Sequence, residues 1–212
     1  MRGPHLFRYR VLAIVMLTAF CAASISFAKA PTPTAMRVEL EAMLDSDQRF
    51  RAQIQSLEPK LGPETPEIKA LWDRQGRIDQ ANMKRLAKFI SARGWPGKSL
   101  VGEKATTAAF LILQHADLPV QQRYLPLLRK AAANNELKPS RLALLEDRIL
   151  VRTGQPQIYG SQLGRNPKTG LLAFSPIEDE ANVDKRREAV GLEPLAEYAK
   201  GFGLVYTPKK AD

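Results

Sequence analysis

His115 is the residue of this sequence best suited to acid–base chemistry. The chain has two histidines, His5 and His115, and the second stands in the string Gln114-His115-Ala116-Asp117 at the end of an apolar run. Imidazole titrates closer to physiological pH than other side chains, so His115 could act as a general acid or base. The alternative, which we favour narrowly, is a structural imidazole that caps the carbonyl groups at a helix end.

Asp117 is the carboxylate nearest to His115 in the sequence. Residues two apart on a helix do not face one another, so Asp117 could orient His115 only if the helix ended between them. Leu118-Pro119 is consistent with such an end, and it also predicts a second role, in which Asp117 is the N-cap of the next helix and its carboxylate accepts backbone N–H groups. We favour the N-cap role and keep Asp117 as a catalytic candidate beside His115.

Arg148 lies near the edge of the buried face of a predicted helix. A guanidinium in that position needs a carboxylate or an anionic ligand. Asp117, Asp147 and Asp179 are the candidate partners within the chain. We favour an internal pair, and the alternative is that Arg148 holds an anionic group of a ligand.

A third group of polar residues is rich in amides. The members of this group are Gln157, Tyr159 and Gln162. With Gln114 and Arg148 they are the candidate ligand-binding residues. In a strand, Gln157, Tyr159 and Ser161 would share one face and could contact a polar ligand. The alternative is a hairpin that exposes these groups to solvent.

The sequence predicts no metal site and no cofactor. After removal of the N-terminal segment described next, His115 is the one remaining histidine and no cysteine remains. Without paired histidines or thiols the usual ligand spacings for zinc are missing, and the acidic residues do not follow a calcium-loop order.

The first 28 residues have the layout of a secretory signal peptide. Arg2, Arg8 and Arg10 precede an apolar run that ends in Ser26-Phe27-Ala28, and the small residues of that ending suit a signal peptidase. The run is shorter than the roughly 20 residues of a membrane span. We therefore expect cleavage after Ala28 and a mature protein that is periplasmic or secreted, with no stable membrane span.

The charge of the mature chain constrains its partners. The formal net charge of +10 falls to +7 with the loss of the three signal-peptide arginines, and the remaining lysines and arginines are spread along the chain. A nucleic-acid-binding protein usually concentrates such charge in one stripe with interleaved aromatic residues, so we do not expect nucleic acid as a partner. We expect an anionic component of the cell envelope, or another protein.

Hydrophobic periodicity predicts a mainly α-helical, single bundle-like domain with a small β-hairpin in its C-terminal third. An extended spacer at 29–34 should precede the domain at 35–205, and 206–212 should form a loose tail. Strands are expected at 157–162 and 171–175, on either side of a turn at 166–170. Helices are expected at 35–58 (as one helix or two), 66–94, 103–116, 118–135, 139–153, 183–190 and 194–200.

Several uncommon strings occur in a fixed order along most of the mature chain: Gly94-Trp95-Pro96, Gln114-His115-Ala116-Asp117, Asp147-Arg148 and the segment from Gln157 to Gln162. In this order they resemble the signatures of a bacterial domain family of unknown function. The resemblance implies that these strings belong to one domain and could meet in space. It implies no activity.

Two functions remain open at this stage. The first, which we favour narrowly, is a non-catalytic envelope module that binds another molecule. The alternative is a hydrolase of an envelope component, in which His115 is the general acid or base, Arg148 holds an anionic group, and Gln157 and Tyr159 position the substrate.

Overall fold

The computed structural model describes residues 30–165 and 170–207. Within these residues the fold is mainly α-helical with one two-stranded antiparallel hairpin, so the predicted fold class is confirmed. The helices are α1 (Pro33–Leu61), α2 (Pro66–Arg93), α3 (Lys98–Val101), α4 (Glu103–Gln114), α5 (Leu118–Ala133), α6 (Pro139–Arg152), α7 (Val183–Ala189) and α8 (Leu195–Lys200). The strands are β1 (Leu163–Arg165) and β2 (Leu172–Phe174).

Helix α1 begins inside the predicted spacer and is continuous. Pro33 suits the first helical position because its missing N–H would have no helical partner, and Thr32 Oγ1 accepts a hydrogen bond from the Ala35 N–H at 3.2 Å. The polar residues at 45–48 do not break the helix. Asp47 is fully buried, which shows that this polar stretch turns a carboxylate toward the interior of the bundle.

Helix α4 forms the centre of the domain, as its sequence predicts. Both α1 and α2 pack against it, and most of its residues are buried. Phe110 and Leu113 are fully buried, and a buried side chain of this size stabilises the folded state by about 1.5–3 kcal/mol. The helix ends at His115, which occupies the C-cap position. His115 therefore lies at the end of the central apolar helix, at the boundary between the core and solvent.

The C-terminal third differs from the prediction in one strand. Leu163 pairs with Phe174 and Arg165 with Leu172, but residues 157–162 form a loop with only an isolated bridge from Gln157 to Ile177. The expected alternation of side chains along 157–162 therefore does not apply. The physical reason is that the backbone N–H groups of this segment point at a buried carboxylate, described below.

Tyr206 is held against the domain although we expected it in a loose tail. Its hydroxyl donates to Glu180 Oε1 at 2.9 Å, and its ring meets Phe174 edge-on at 5.7 Å. The expectations for the signal peptide and for the tip of the hairpin turn fall on residues outside the described ranges. Among the described helices, none combines the length and the apolar character needed to cross a bilayer.

Candidate active site

His115 is hydrogen-bonded to a carboxylate of a distant helix. Its Nδ1 lies 3.0 Å from Asp47 Oδ1, and the two residues are 68 positions apart in the sequence. The Asp47 side chain is 1% exposed and the His115 side chain 16%. A buried carboxylate in this position orients the ring, so the arrangement has the geometry of an acid–base pair.

Arg51 links Asp47 to a second carboxylate. Its Nη2 donates to Asp79 Oδ2 at 2.5 Å, and its Nε lies 3.9 Å from Asp47 Oδ2. Each carboxylate has a further amide donor, Gln48 Nε2 at 2.6 Å for Asp47 and Gln75 Nε2 at 2.7 Å for Asp79. Because a buried charge is tolerated only when it is paired and hydrogen-bonded, these contacts are what keep Asp47 in the interior.

The spacing of these residues explains why they meet. Asp47 and Arg51 are one turn apart on α1, and Gln75 and Asp79 are one turn apart on α2, so each pair shares a helix face. Asn82 extends the face of α2 and donates to Ser46 Oγ at 3.2 Å. We call this set the polar layer; its members are Ser46, Asp47, Arg51, Gln75, Asp79, Asn82 and His115.

A cavity of about 390 Å³ opens beside His115, between α2 and the junction of α4 with α5. This volume lies within the range of small-molecule sites. Since Nδ1 of His115 is bonded to Asp47, Nε2 is the ring nitrogen left for a ligand. The lining residues are Gly76, Asp79, Gln80, Met83, Lys84, Ala87, His115, Ala116, Asp117, Val120, Arg123 and Tyr124.

Asp117 lines this cavity but does not orient His115. It occupies the N-cap position of α5, where its backbone carbonyl accepts the N–H groups of Val120 and Gln121 at 3.0 Å. Its exposed carboxylate makes no capping hydrogen bond. The predicted N-cap position is therefore correct, but the role that we favoured for the carboxylate, accepting backbone N–H groups, is wrong.

Sequence reasoning missed Asp47, although the sequence contains a signal for it. Met36, Leu40, Met43, Asp47 and Ile54 are the buried residues of α1. Their steps of three, four and seven residues follow one helix face, and the aspartate falls on that face. A carboxylate at a core position requires a partner, and His115 and Arg51 are the partners.

Arg148 and Gln114 meet at the C-terminal end of α4, where their contact is weak. Arg148 Nη1 lies 3.5 Å from the Gln114 carbonyl oxygen, and its buried Nε has no partner among the described residues. None of the three candidate aspartates pairs with Arg148 in the described part of the chain. Burial lowers the pKa of Arg148 to about 10, and the positive charges of Arg152 and Arg51 contribute to the decrease.

Asp147 organises the loop at 157–162. Its fully buried carboxylate accepts hydrogen bonds from the backbone N–H groups of Ile158 at 2.7 Å, Tyr159 at 3.0 Å and Ser161 at 2.9 Å. Gly160, between the last two donors, has a φ of +70°, which favours glycine. The loop is thus fixed to α6 by one side chain.

The other candidates in this loop are also engaged in contacts within the domain. Gln157 is fully buried, donates to the carbonyls of Gln162 and Ser175, and accepts the Gln162 N–H. The Gln162 side chain donates to Ser161 Oγ at 3.0 Å. Burial raises the pKa of the Tyr159 phenol, with Glu146 and Asp147 adding to the increase.

The sequence-predicted residues therefore fall into three groups. His115 and Asp117 line the cavity; Gln114 and Arg148 meet at the end of α4; and Gln157, Tyr159 and Gln162 belong to the loop that Asp147 holds. Within residues 30–165 and 170–207, no three His, Cys, Asp or Glu side chains are grouped as metal ligands.

The fold and the site define a small helical domain with a polar layer beside a cavity. The chain belongs to a family of unknown function, DUF6624, whose family model matches residues 34–210. No curated protein and no solved structure matches the chain.

Proposed function

We propose that this protein is an enzyme of the hydrolase class, with His115 as its general acid and base. The observation that carries the proposal is the buried Asp47–His115 pair beside the cavity of about 390 Å³. A carboxylate that is 1% exposed and bonded to Nδ1 is costly to maintain in a core. Its geometry suits a proton-transfer role for the opposite ring nitrogen.

Water is the nucleophile that we propose; the cavity lining in the described residues contains no Ser, Thr or Cys. Nε2 of His115 accepts a proton from water while the water oxygen bonds to a carbonyl or phosphoryl centre. The bond to the leaving group then breaks, and the leaving group takes the proton from Nε2. Lys84 and Arg123 at the cavity supply positive charge that stabilises the developing oxyanion.

Substitution of His115 by glutamine tests the proposal. Because general acid–base catalysis contributes typically about 10²–10⁴-fold, the substitution should lower kcat by a similar factor. The mature protein should be assayed on nitrophenyl esters, nitrophenyl phosphates and peptidoglycan fragments. Gln122→Ala, an exposed change beside the cavity residue Arg123, is the matched control and should keep full activity.

Two results would contradict the hydrolase proposal: no turnover of any of these substrates by the unaltered protein, or equal turnover by His115→Gln. The second candidate is a non-catalytic binding module. Gln157 and Asp147 form hydrogen bonds within the domain. These residues therefore stabilise the fold and are not free to position a substrate, which favours the second candidate. A fragment that shifts the His115 ring resonances without being cleaved would support this candidate.

We further propose that the protein acts outside the cytoplasm of a bacterium, on an anionic envelope component or on another protein. The support is the signal-peptide pattern of the first 28 residues and the net positive charge of the remainder. N-terminal sequencing of exported protein should begin at Lys29. A membrane-bound product that keeps Met1 would contradict cleavage.

A further inference from the structure

We propose that Arg148 binds an oxyanion, a phosphate or carboxylate group, next to His115. The inference deepens the proposed function, on which it rests for the assignment of this group to the substrate. It is based on Arg148, which has no carboxylate partner among the described residues and only a weak hydrogen bond at the end of α4.

Three guanidinium groups lie near one another at this end of the helix. Arg51, Arg148 and Arg152 are close enough for the charges of Arg51 and Arg152 to lower the pKa of Arg148. Of the three, only Arg51 has a carboxylate partner in the described part of the chain, and its two partners are Asp47 and Asp79. Arg148 and Arg152 therefore lack a carboxylate partner among the described residues, and an anion would supply Arg148 with a negatively charged partner.

Arg152 and Arg148 differ in how well neutral acceptors satisfy them. Arg152 Nη1 donates to the Ala116 carbonyl at 3.0 Å and to Gln121 Oε1 at 3.2 Å. Arg148 has one contact at the distance limit, 3.5 Å to the Gln114 carbonyl. Arg152 thus has two acceptors within 3.2 Å, whereas Arg148 shares the Gln114 carbonyl with Gln121 Nε2, which donates to it at 2.8 Å.

Two unpartnered polar atoms accompany this weak contact. Arg148 Nε is a buried donor, and Gln114 Oε1 is a buried acceptor, and neither has a partner among the described residues. Buried polar groups are normally hydrogen-bonded. A phosphate group supplies oxygens for the guanidinium fork, and its singly protonated form also offers an O–H to the amide oxygen.

The contact of Arg148 lies next to the proposed acid–base group in the chain. Gln114 precedes His115 directly in the chain, so the carbonyl that Arg148 contacts belongs to the residue beside the proposed acid–base group. An oxyanion bound there would hold the substrate on the side of α4 that faces Arg148, while His115 acts at the cavity.

Titration of the mature protein with inorganic phosphate and, separately, with acetate tests the inference. Calorimetry and thermal unfolding should show saturable binding of at least one anion to the unaltered protein. Arg148→Gln should weaken that binding at least about tenfold, and Arg148→Lys should retain part of it. Arg141→Gln is the matched control, because Arg141 lies two turns earlier on α6 and contacts Phe110 instead.

The stability of Arg148→Gln without anion gives a second, independent readout. If Arg148 serves a ligand, its neutral replacement should unfold at the same temperature as the unaltered protein or higher, since binding residues are often kept at a cost in stability. A lower unfolding temperature combined with unchanged anion binding would overturn the inference, as would no binding of either anion.

The same titration separates this inference from the proposed function. His115→Gln should still bind the anion that the unaltered protein binds. Anion binding that depends on Arg148 in a protein with no hydrolytic activity would leave the oxyanion site in place and refute the hydrolase. If Arg148→Gln changed neither hydrolysis nor anion binding, the hydrolase would stand and the oxyanion site at Arg148 would be refuted.

Discussion

Replacement of Asp147 by alanine is expected to lower the free energy of unfolding by about 3–5 kcal/mol. The substitution removes the common acceptor of the Ile158, Tyr159 and Ser161 N–H groups. Three donors would then lack their partner in a region where Ser161 is 5% exposed and Gln157 fully buried. Urea denaturation followed by circular dichroism measures the change.

The adjacent carboxylate provides the control. Glu146 accepts from Arg129 Nε at 2.8 Å, with side-chain exposures of 15% for Glu146 and 59% for Arg129. Because one partner of this ion pair is exposed, the pair contributes about 1 kcal/mol, so Glu146→Ala should have a smaller effect than Asp147→Ala. Equal destabilisation by the two alanine substitutions would show that the loop at 157–162 does not depend on Asp147.

Replacement of Asp47 by asparagine is expected to lower kcat by about 10²–10⁴-fold while the protein stays folded. In serine proteases the corresponding change costs about 10⁴-fold because the wrong imidazole tautomer results. The introduced amide would keep the shape of the side chain but could donate a hydrogen to Nδ1 of His115. Steady-state kinetics on a substrate found with the unaltered protein, together with the ring nitrogen shifts of His115, measure both effects.

Asp117→Asn is the matched control for this prediction. Asp117 lines the same cavity, but its carboxylate does not contact His115 in the described structure. Its loss of charge should change kcat only a few-fold and leave the tautomer of His115 unaltered. If Asp117→Asn abolished turnover and Asp47→Asn did not, Asp117 would be the orienting carboxylate and our assignment would be wrong.

The helices can be predicted because their signals are local. Thr65-Pro66 and Gly94 mark the two ends of α2, and the dense apolar run of α4 indicates its central position. Helix α1 starts two residues before its predicted beginning because Pro33 is compatible with a first helical turn. The first residue of a helix shifts in this way because it is set by capping contacts that involve only one or two atoms.

The candidate site can be predicted only in part because its contacts are between distant segments. The side-chain chemistry of His115 identifies it, but its partner Asp47 is on another helix, and no local rule pairs them. The loop at 157–162 has the sequence pattern of a strand, yet the carboxylate that replaces strand pairing comes from Asp147. Tertiary hydrogen bonds decide both cases.

The bridge that Arg51 makes between Asp47 and Asp79 has a consequence for the alignment of the two longest helices. A helix pair joined only by apolar contacts could slide by one turn, about 5.4 Å, and still bury much of its surface. A slide of that size between α1 and α2 would separate Arg51 from Asp79. The ion pair of Arg51 with Asp79 beside the proposed acid–base pair thus also disfavours packings in which α1 and α2 are displaced by one turn.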